Sequence, residues 1–420
     1  MRLKDLLTSR GGTPLLQPTL SNTTYRYMIL GAGCAGLSLA WNLLEAGITD
    51  PILIVDRRSS FENDRTWCFW DIEPTPFSSL ATHSWSRWMI HDGDREIISE
   101  CPEYPYIRIR SADFYRRVLD RFASASNVTL ALGQPVLEAS ETSQGVRVIT
   151  TKANFEGLRA FNSMMPKSDV TTTARTRRTP VSLLQHFFGQ TIQVEHPVFD
   201  PACPTLMDFR TPQTDGPHFV YVLPLSETEA LVENTYLFSL SVSKERHRQE
   251  IGDYLGMRYG LTEGSYKVIE EESGAIPMTT AKSRLAIGSR VTSIGLAGGA
   301  ARPSSGYAFL RIQRQTRGIA QGITDLESVA PAHEHSSLGG LKYQFLDTVF
   351  LQCLADRPAL ASRIFGQMFD RADSAAVVRF MGERSTIIDD LRIVAALPKL
   401  PFMAAALNSC SDWFSLLVRR

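Results

Sequence analysis

A glycine-rich turn between a short apolar strand and a helix is the feature that most constrains the fold. The stretch YRYMILGAGCAGLSLAWNLLEAG predicts a buried strand over Tyr27–Leu30, a turn over Gly31–Gly36 and a helix over Leu37–Ala46 that a further glycine ends. PILIVDRR then adds a second buried strand, Ile52–Val55. Strand, turn, helix and strand in this order form a βαβ unit. The unit predicts an α/β fold whose Rossmann-type domain is a doubly wound parallel sheet.

The glycines of this turn follow the spacing G-x-G-x-x-G at Gly31, Gly33 and Gly36. The first glycine permits a tight turn, the second lets the backbone approach a pyrophosphate, and the third lets helix and strand pack closely. The helix N-terminus offers unpaired N–H groups to the phosphates. Asp56 ends the second strand, where an acid that binds a ribose belongs. The pattern predicts a dinucleotide site, with a plain tight turn as the alternative.

A second glycine-rich stretch, GLAGGAARPSSGYAFLRIQ, occupies Gly295–Gln313 and leads into another helix. Its glycines include Gly298, Gly299 and Gly306. Such a turn lets the backbone approach an isoalloxazine ring and a ribityl chain, with a helix N-terminus facing the ring. A flavin needs this second turn and a nicotinamide cofactor does not. The alternative is an ordinary loop.

Aromatic residues crowd the stretch NDRTWCFWD, which includes Trp67, Phe69 and Trp70 just after the βαβ unit. Aromatic side chains are usually core residues, and core packing is the simpler interpretation here. Aromatic faces also line apolar ligand tunnels and stabilise cations through their quadrupole. Both interpretations stay open on the residues alone.

One acid interrupts the apolar pattern of ALVENTYLF. Strand alternation places Leu231, Glu233 and Thr235 on one face, and Asn234 points to the other. A carboxyl in an apolar sheet has a raised pKa, stays protonated and can act as a general acid. A solvent-facing glutamate on an edge strand is equally compatible with the pattern.

The 44 basic and 44 acidic residues balance, so composition gives no reason to expect a nucleic-acid partner. The six cysteines form no CxxC pair, which indicates reduced thiols in a reducing, cytoplasmic compartment and neither disulfides nor a zinc site. His333 and His335 lack further metal-ligand company, which favours a solvated loop. No apolar run reaches the ~18 residues that a spanning helix needs. Residues 1–24 are expected to be a frayed extension, with a transit peptide as the alternative.

A chain of 420 residues suggests two or three domains at about 150 residues each. RSADFYRRVLDRFA predicts a helix capped by Ser111, and HFVYVLPLSETEALVENTYLF predicts antiparallel strands joined by a hairpin loop over Ser226–Glu229. Polar loops are expected over 167–180 and 331–340. The predicted domains are a flavin-binding domain in two parts (25–165 and 285–325), an antiparallel domain (181–280) and a helical region (340–420).

Together these motifs make the chain resemble the flavin-dependent lycopene β-cyclases of bacteria and plants. The glycine fingerprint is shared by many flavoproteins, whereas TWCFW, LPLSETEALVENT and RPSSGYAF are much more specific. MDFR, GAIPMT, KYQFLDTVFLQCL and LPKLPF follow in the family's order, and the resemblance extends from about Tyr25 to the end.

The resemblance implies an activity in which the linear ψ-ends of lycopene close to β-ionone rings without net redox change. It implies FAD in its reduced form, NAD(P)H as electron donor, and Glu233 as the acid, because LVENT matches the family's acidic stretch. It also assigns cofactor and substrate residues. The cofactor residues are Gly31, Gly33, Gly36, Asp56, Arg65, Gly298, Gly299 and Gly306, and the substrate residues are Trp67, Phe69, Trp70, Asp208 and Tyr221.

A membrane-dissolved substrate implies peripheral docking on a membrane surface, with other enzymes of carotenoid synthesis as candidate partners. The apolar stretches Ile393–Ala406 and Trp413–Val418, near Lys399, are candidate docking elements, and helical core is the alternative. Two rival functions remain on the same fold: a flavin monooxygenase or isoprenoid reductase, which would consume one NAD(P)H per product, and a non-catalytic carotenoid- or flavin-binding protein.

Overall fold

A computed structural model describes residues 24–93, 95–165, 181–237, 242–281, 290–324 and 338–417, with the backbone alone for 338–339 and 410–417. The expected polar loop over 167–180, most of the linker over 331–340, and residues 418–420 lie outside these ranges. In the described part, the chain forms three sheets with helices around them.

The first sheet has a parallel centre, as the βαβ pattern predicts. Its seven strands follow the order β8-β2-β1-β11-β10-β9, and β17 pairs in parallel with β11. The apolar segment MIL of β1 and the whole of ILIV in β2 are buried because helices cover one face and further strands the other. The strands are β1 (Thr24–Leu30), β2 (Ile52–Val55), β8 (Val128–Ala131), β9 (Val136–Glu141), β10 (Val146–Thr150), β11 (Asn154–Asn162) and β17 (Val291–Ser293).

Three helices pack on one face of this sheet. They are α1 (Cys34–Glu45), α2 (Ser111–Ala123) and α4 (Phe309–Thr324). Helix α1 begins three residues earlier than its apolar pattern predicts, because the helix includes the glycine turn's last residues. The prediction that Ser111 caps α2 is wrong: Arg110 is the N-cap residue, and the Ser111 hydroxyl instead accepts a hydrogen bond from the backbone N–H of Arg65.

The second sheet is largely antiparallel and carries the predicted hairpin. Its order is β16-β12-β15-β14-β13-β5-β6. The hairpin strands β14 and β15 meet as predicted, although Glu229 already belongs to β15. Helix α3 (Lys244–Tyr259) covers one face. The strands are β5 (Arg87–Asp92), β6 (Arg95–Glu100), β12 (Ser182–Val194), β13 (Thr205–Asp208), β14 (His218–Pro224), β15 (Glu229–Leu237) and β16 (Tyr266–Thr279).

Strands β5 and β6 show that the two sheets are interwoven along the chain. Both lie between parts of the first sheet in sequence, yet β5 pairs in parallel with β13 of the second sheet. A small third sheet with the order β3-β7-β4 stands between the two larger ones. Its strands are β3 (Thr66–Trp70), β4 (His83–Trp85) and β7 (Tyr106–Arg110), and a short 3-10 helix covers Ser78–Leu80.

The C-terminal part is helical, as predicted. Its helices contribute to the largest apolar core, which they share with the second sheet. They are α5 (Leu338–Asp356), α6 (Ala361–Arg371), α7 (Ser374–Met381), α8 (Ile387–Ala396) and α9 (Lys399–Leu417), with a 3-10 turn over Pro358–Leu360. None of the helices in the described ranges combines the length and the apolarity needed to cross a bilayer.

Candidate functional site

The first glycine turn forms an open cradle at the N-terminus of α1. Gly31 has φ +103°, which only glycine adopts readily, and a side chain at Gly36 would collide with the carbonyl oxygen of Gly31. A Cβ at Gly33 would meet nothing within 4 Å. No side chain of the described residues caps the helix, so its first N–H groups stay available. The turn therefore leaves space and donors for an anion, as a pyrophosphate requires.

The second glycine turn lies directly against the first. A Cβ added at Gly295, whose φ is +62°, would come within 2.5 Å of the Cβ of Ala35 in α1. The backbone N–H of Gly295 donates to the side chain of Gln315 at 2.7 Å. Gly299 has φ +72°, and a Cβ at Gly298 would lie 2.6 Å from the carbonyl oxygen of Ser293. Two turns that are far apart in sequence thus form one backbone-lined site.

Gly306 links this site to the second sheet. A Cβ there would lie 2.6 Å from Oε1 of Gln185 and 3.7 Å from Cγ2 of Ile276. Gln185 lies on β12 and Ile276 on the edge strand β16 of the second sheet, where the two residues pair with each other. The turn over 295–306, which we call the flavin loop, therefore touches one particular face of that sheet.

Asp56 and Arg65 lie beside the first turn. Asp56 is buried and accepts hydrogen bonds from the backbone N–H groups of Ala32 and Arg58. Each carboxylate oxygen keeps a second lone pair with which it can accept from a ribose hydroxyl. The side chain of Arg65 donates to the carbonyl oxygen of Asp64. Burial raises the pKa of Glu272, and the positive charge of Arg65 partly offsets that rise. The predicted cofactor roles of both residues remain predictions.

A row of four residues crosses the second sheet at Glu233. Gly189 on β12 pairs with Glu233 on β15 and with Glu272 on β16, and Glu233 pairs with Tyr221 on β14. Cross-strand partners project to the same face. Gln185 lies four residues before Gly189 on the same strand and so shares this face. The flavin loop therefore covers the face from which Glu233 projects.

The surroundings of Glu233 favour its protonated form. Burial and, to a smaller extent, the charge of Glu272 raise the pKa of Glu233 to about 8, against a hydrogen bond from the Thr235 hydroxyl, at 3.0 Å, that lowers it. A carboxyl with this pKa holds its proton at neutral pH and can deliver it. The alternative of a freely solvated glutamate on an edge strand is wrong, because β15 lies inside the sheet and the side chain is only partly accessible.

Three tyrosine hydroxyls form a chain beside this acid. Tyr221 donates to Tyr106 at 3.0 Å, and Tyr106 lies 3.2 Å from the hydroxyl of Tyr307 in the segment after the flavin loop. Burial raises the pKa of Tyr106, Tyr221 and Tyr307 well above that of a free tyrosine. Burial also raises the pKa of the neighbouring Cys68 thiol to about 12. These groups are therefore neutral, polar neighbours of Glu233.

The aromatic strand β3 divides its side chains between two environments. Trp70 faces the tyrosines, with its ring centroid 4.9 Å from that of Tyr106 and 5.6 Å from that of Tyr307. Trp67 and Phe69 point the other way and pack against Phe309 of α4, Phe69 in a stacked arrangement at 4.7 Å. A cavity between these layers has Phe69, Trp70, Tyr307 and Phe309 among its lining residues. The substrate roles of the strand's aromatics remain predictions.

Asp208 lies on the opposite face of the second sheet. It pairs with Val220, which pairs with Asn234, and alternation separates this row from that of Glu233. Its fully buried carboxylate accepts from the guanidinium of Arg210, at 2.8 and 2.6 Å, and from the Tyr254 hydroxyl, at 2.8 Å. This placement favours a structural role over contact with a substrate.

Asn234 points away from Glu233, as strand alternation predicts. Its amide is completely buried and bonds to three side chains: His218, His247 at 3.0 Å, and Glu250 at 2.7 Å. The residue thus joins β14, β15 and helix α3 behind the acid.

Several residues of this site were not predicted as functional. Cys68 and Tyr307 lie inside the aromatic stretch and the second glycine-rich stretch, respectively. The sequence therefore indicated that they lie near the site, but it gave no indication of their role. Gly189 and Glu272 gave no usable signal, because their importance depends on the register between strands that are far apart in sequence. Glu272 in particular belongs to the run IEEES, which resembles an ordinary solvated acidic segment.

Comparison with known proteins agrees with this geometry. The family model described as lycopene cyclase protein matches residues 27–407. A lycopene beta-cyclase of Pantoea ananas is 25% identical over 392 residues, which cover 91% of this chain and 97% of the relative. A lycopene beta-cyclase of Pseudescherichia vulneris is 24% identical over 412 residues, covering 92% of this chain and 98% of the relative.

Solved structures with the same fold are flavoproteins and related enzymes. A flavoprotein/dehydrogenase of Cytophaga hutchinsonii has a TM-score of 0.60 at 10% identity and covers 93% of this chain and 100% of its own. A geranylgeranyl bacteriochlorophyll reductase-like protein of Thermoplasma acidophilum has a TM-score of 0.58 at 13% identity, covering 92% and 99%. At these identities the likeness shows the fold and leaves the activity to the site.

Proposed function

This chain belongs to the lycopene cyclase family, and from that premise we propose that it converts lycopene to β-carotene, through γ-carotene, by closing each linear ψ-end to a β-ionone ring. Glu233 acts as the general acid. The observation that carries the proposal is the position of the Glu233 carboxyl beside the tyrosine hydroxyls, on the sheet face that the flavin loop covers, where burial raises its pKa and favours the protonated form.

The reaction we propose is an isomerisation with no net redox change. Glu233 delivers its proton to the terminal double bond, which leaves a tertiary cation. The neighbouring double bond attacks that cation and closes a six-membered ring, and loss of a different proton to the Glu233 carboxylate forms the ring double bond and restores the acid. Protons gained and lost therefore balance.

Stabilisation of positive charge in an apolar site is the main demand of this chemistry. Groups aimed at the developing charge lower the barrier most. The Glu233 carboxylate left after proton transfer, the face of Trp70 and the oxygens of Tyr106 and Tyr221 are the groups that this chain offers. Their burial also excludes water, which would otherwise trap the cation as an alcohol.

FAD is the cofactor that the two glycine turns fit, with its pyrophosphate at the N-terminus of α1 and its ring system along the flavin loop. Gly31, Gly33, Gly36 and Asp56 would hold the dinucleotide, and Gly298, Gly299 and Gly306 would face the flavin. When bound and reduced by NAD(P)H, the cofactor would supply negative charge close to the cation.

We further propose peripheral docking on a membrane through an apolar face of helices α8 and α9. Large apolar side chains are exposed along it: Ile387, Ile388, Leu391, Val394, Leu400, Met403 and Leu407. Arg392 and Lys399 are exposed on the same helices and suit anionic headgroups. Asp389 and Asp390 are paired with Arg379 and Lys342. The opposite side of the same segment is core, since Ile393, Ala396, Leu397 and Ala405 are buried. Docking is therefore proposed for the exposed side alone, and the side chains of the second predicted element, Trp413–Val418, lie outside the described residues.

The direct test is expression of Glu233→Gln in bacteria that accumulate lycopene. We expect the variant to retain bound FAD and to make no β-carotene, because an amide cannot donate the proton. Glu229→Gln, a change of the same kind four residues earlier on β15, should keep wild-type pigment. Wild-type colour in Glu233→Gln would contradict the proposal. Consumption of one NAD(P)H per product by the wild-type protein would instead indicate a monooxygenase or reductase.

A further inference from the structure

The register of three strands brings a second carboxyl to the proposed acid. We propose that Glu272 is a positioning residue that keeps Glu233 protonated before each turnover, through one proton shared by the two carboxyls across the space above Gly189. This inference rests on the proposed function, because it assigns a role in the same site.

Gly189 provides the space between the two side chains. A Cβ at this position would lie 3.4 Å from Cγ of Glu272 and 3.5 Å from Cβ of Glu233. Strands two apart in a sheet lie about 10 Å from each other, so two glutamates can approach across one vacant position. Gly189 is absent from the glycines with positive φ in the described chain. Its backbone conformation therefore does not require glycine, whereas the space between the carboxyls does.

The two carboxyls have different neighbours, and the difference decides which one holds the proton. Glu272 accepts a hydrogen bond from the Thr66 hydroxyl at 2.8 Å. Burial, with the charge of Glu270, leaves the pKa of Glu272 above its usual value, but the Thr66 hydrogen bond and the charges of Arg65 and Arg108 hold that rise in check. Among the residues that the structure describes, Glu233 receives a side-chain hydrogen bond from Thr235 alone. The shared proton therefore belongs mainly to Glu233, and Glu272 carries the negative charge.

Other titratable groups around the pair do not provide that charge. Cys68 and Tyr307 face Glu233 from β3 and from the segment before α4, and burial raises the pKa of both, which keeps them neutral. Glu270 faces Glu272 along β16 but is bonded to the side chain of Asn63 at 2.6 Å and lies 4.0 Å from Arg110. Glu272 is thus the charged neighbour that acts on Glu233 within the described residues.

The decisive experiment is the pH profile of cyclisation by the flavin-loaded, reduced enzyme in detergent. Removal of the Glu272 charge should lower the pKa of Glu233. The alkaline limb of Glu272→Gln should therefore move to lower pH by about one unit, with an about tenfold lower rate above pH 8. Glu272→Asp keeps the charge and should restore most of the limb. Glu271→Gln removes an exposed carboxylate from the opposite face of the same strand and should leave the limb in place.

A spectroscopic titration separates this inference from the proposed function. The infrared band of a protonated carboxyl that Glu233→Gln abolishes should titrate at lower pH in Glu272→Gln, with no substrate present. If the wild-type protein leaves lycopene unchanged but the band shifts, the proposed function fails and proton sharing stands. If the wild-type protein cyclises lycopene but neither the limb nor the band moves, proton sharing is wrong.

Gly189→Ala offers a second variant in case Glu272→Gln does not fold. Its methyl group would lie 3.1 Å from a flexible Leu231 side-chain atom, which can move aside. The methyl group would stand between the carboxyls, and we expect a shift of the same direction but smaller size. An unchanged band and limb in a folded Gly189→Ala would also overturn the inference.

Discussion

Arg302 and Asp347 form an ion pair that is almost completely shielded from solvent, with exposed side-chain fractions of 1% and 2%. Nε of Arg302 donates to Asp347 at 3.0 Å, and the Ser304 hydroxyl donates to the same carboxylate at 2.7 Å. The guanidinium also lies 4.5 Å from the ring centroid of Phe380. The flavin loop is thereby joined to helices α5 and α7 by charge and not only by apolar packing.

We expect Asp347→Asn to destabilise the protein by about 3–5 kcal/mol, because the substitution leaves a buried guanidinium without its counter-charge. Thermal or urea unfolding of the flavin-free protein measures this loss. Glu156→Gln breaks the exposed pair with Arg147 and should change stability by less than about 1 kcal/mol. Equal effects of the two substitutions would show that burial of the Arg302 pair has no energetic weight.

Gly33→Val should fold normally and purify without flavin. Gly33 has φ −86° and ψ −170°, a conformation that valine adopts readily, and its missing side chain faces open space. The added methyl groups would occupy the place of the phosphates. Flavin absorbance per mole of purified protein is the measurement, and circular dichroism checks the fold. Gly318→Val, at a helical glycine with nothing within 4 Å, is the matched control and should retain flavin.

The glycine turns show which parts of the site the local sequence can predict. Gly31, Gly33 and Gly36 were predictable because their spacing encodes a conformation that a few neighbouring residues determine. The alternation around Glu233 also predicted that Asn234 points to the other face, since a strand has a fixed period. Both inferences need only the geometry of one element.

The register between strands that are far apart in the chain could not be predicted from local sequence. Nothing in the sequence indicates that Gly189 pairs with both Glu233 and Glu272, because the pairing depends on three strands separated by loops and a helix. The membership of β5 and β6 in the second sheet was hidden for the same reason. The wrong prediction that Ser111 caps helix α2 has a local cause. A serine at the start of a helix has more than one hydrogen-bond partner within reach, and here its hydroxyl bonds to Arg65.

The buried histidines behind β15 predict loss of stability in acid. Burial, together with the charge of His186, lowers the pKa of His247 from 6.5 to about 4. The unfolded chain therefore binds a proton in a range where the folded chain does not. The contribution of His247 to the free energy of unfolding is fully present above pH 6.5. It falls by about 3 kcal/mol as the pH drops towards 4.

Urea unfolding at pH 7 and pH 4.5 measures this dependence. His247→Gln should remove much of the difference between the two pH values, whereas the exposed His196→Gln should preserve it. An identical pH dependence in wild-type protein and His247→Gln would mean that the proton uptake has another source.

Removal of the apolar face on α8 and α9 should separate docking from catalysis. The triple substitution Leu391→Gln, Leu400→Gln and Leu407→Gln takes away three side chains that are 63%, 80% and 73% exposed. We expect loss of sedimentation with anionic vesicles and retained cyclisation of detergent-dissolved lycopene, since the site lies elsewhere.

A matched control for this experiment uses exposed apolar residues in other parts of the molecule. Ile98→Gln, Leu137→Gln and Met257→Gln change side chains that are 55%, 66% and 63% exposed. Vesicle binding should survive these changes. Equal loss of vesicle binding in both triple variants would show that the binding is nonspecific hydrophobic adsorption.

The position of β15 has a consequence for which hydrocarbons can react. Glu233 is fixed on an interior strand, with β12 and β14 hydrogen-bonded on its two sides, so its backbone cannot swing towards a bound molecule as a loop residue could. In the proposed mechanism the polyene must therefore move to the acid. A proton donor that is fixed in this way acts on the carbon at the end of the chain that reaches it, so the length of the remaining chain has little influence on where the bond forms.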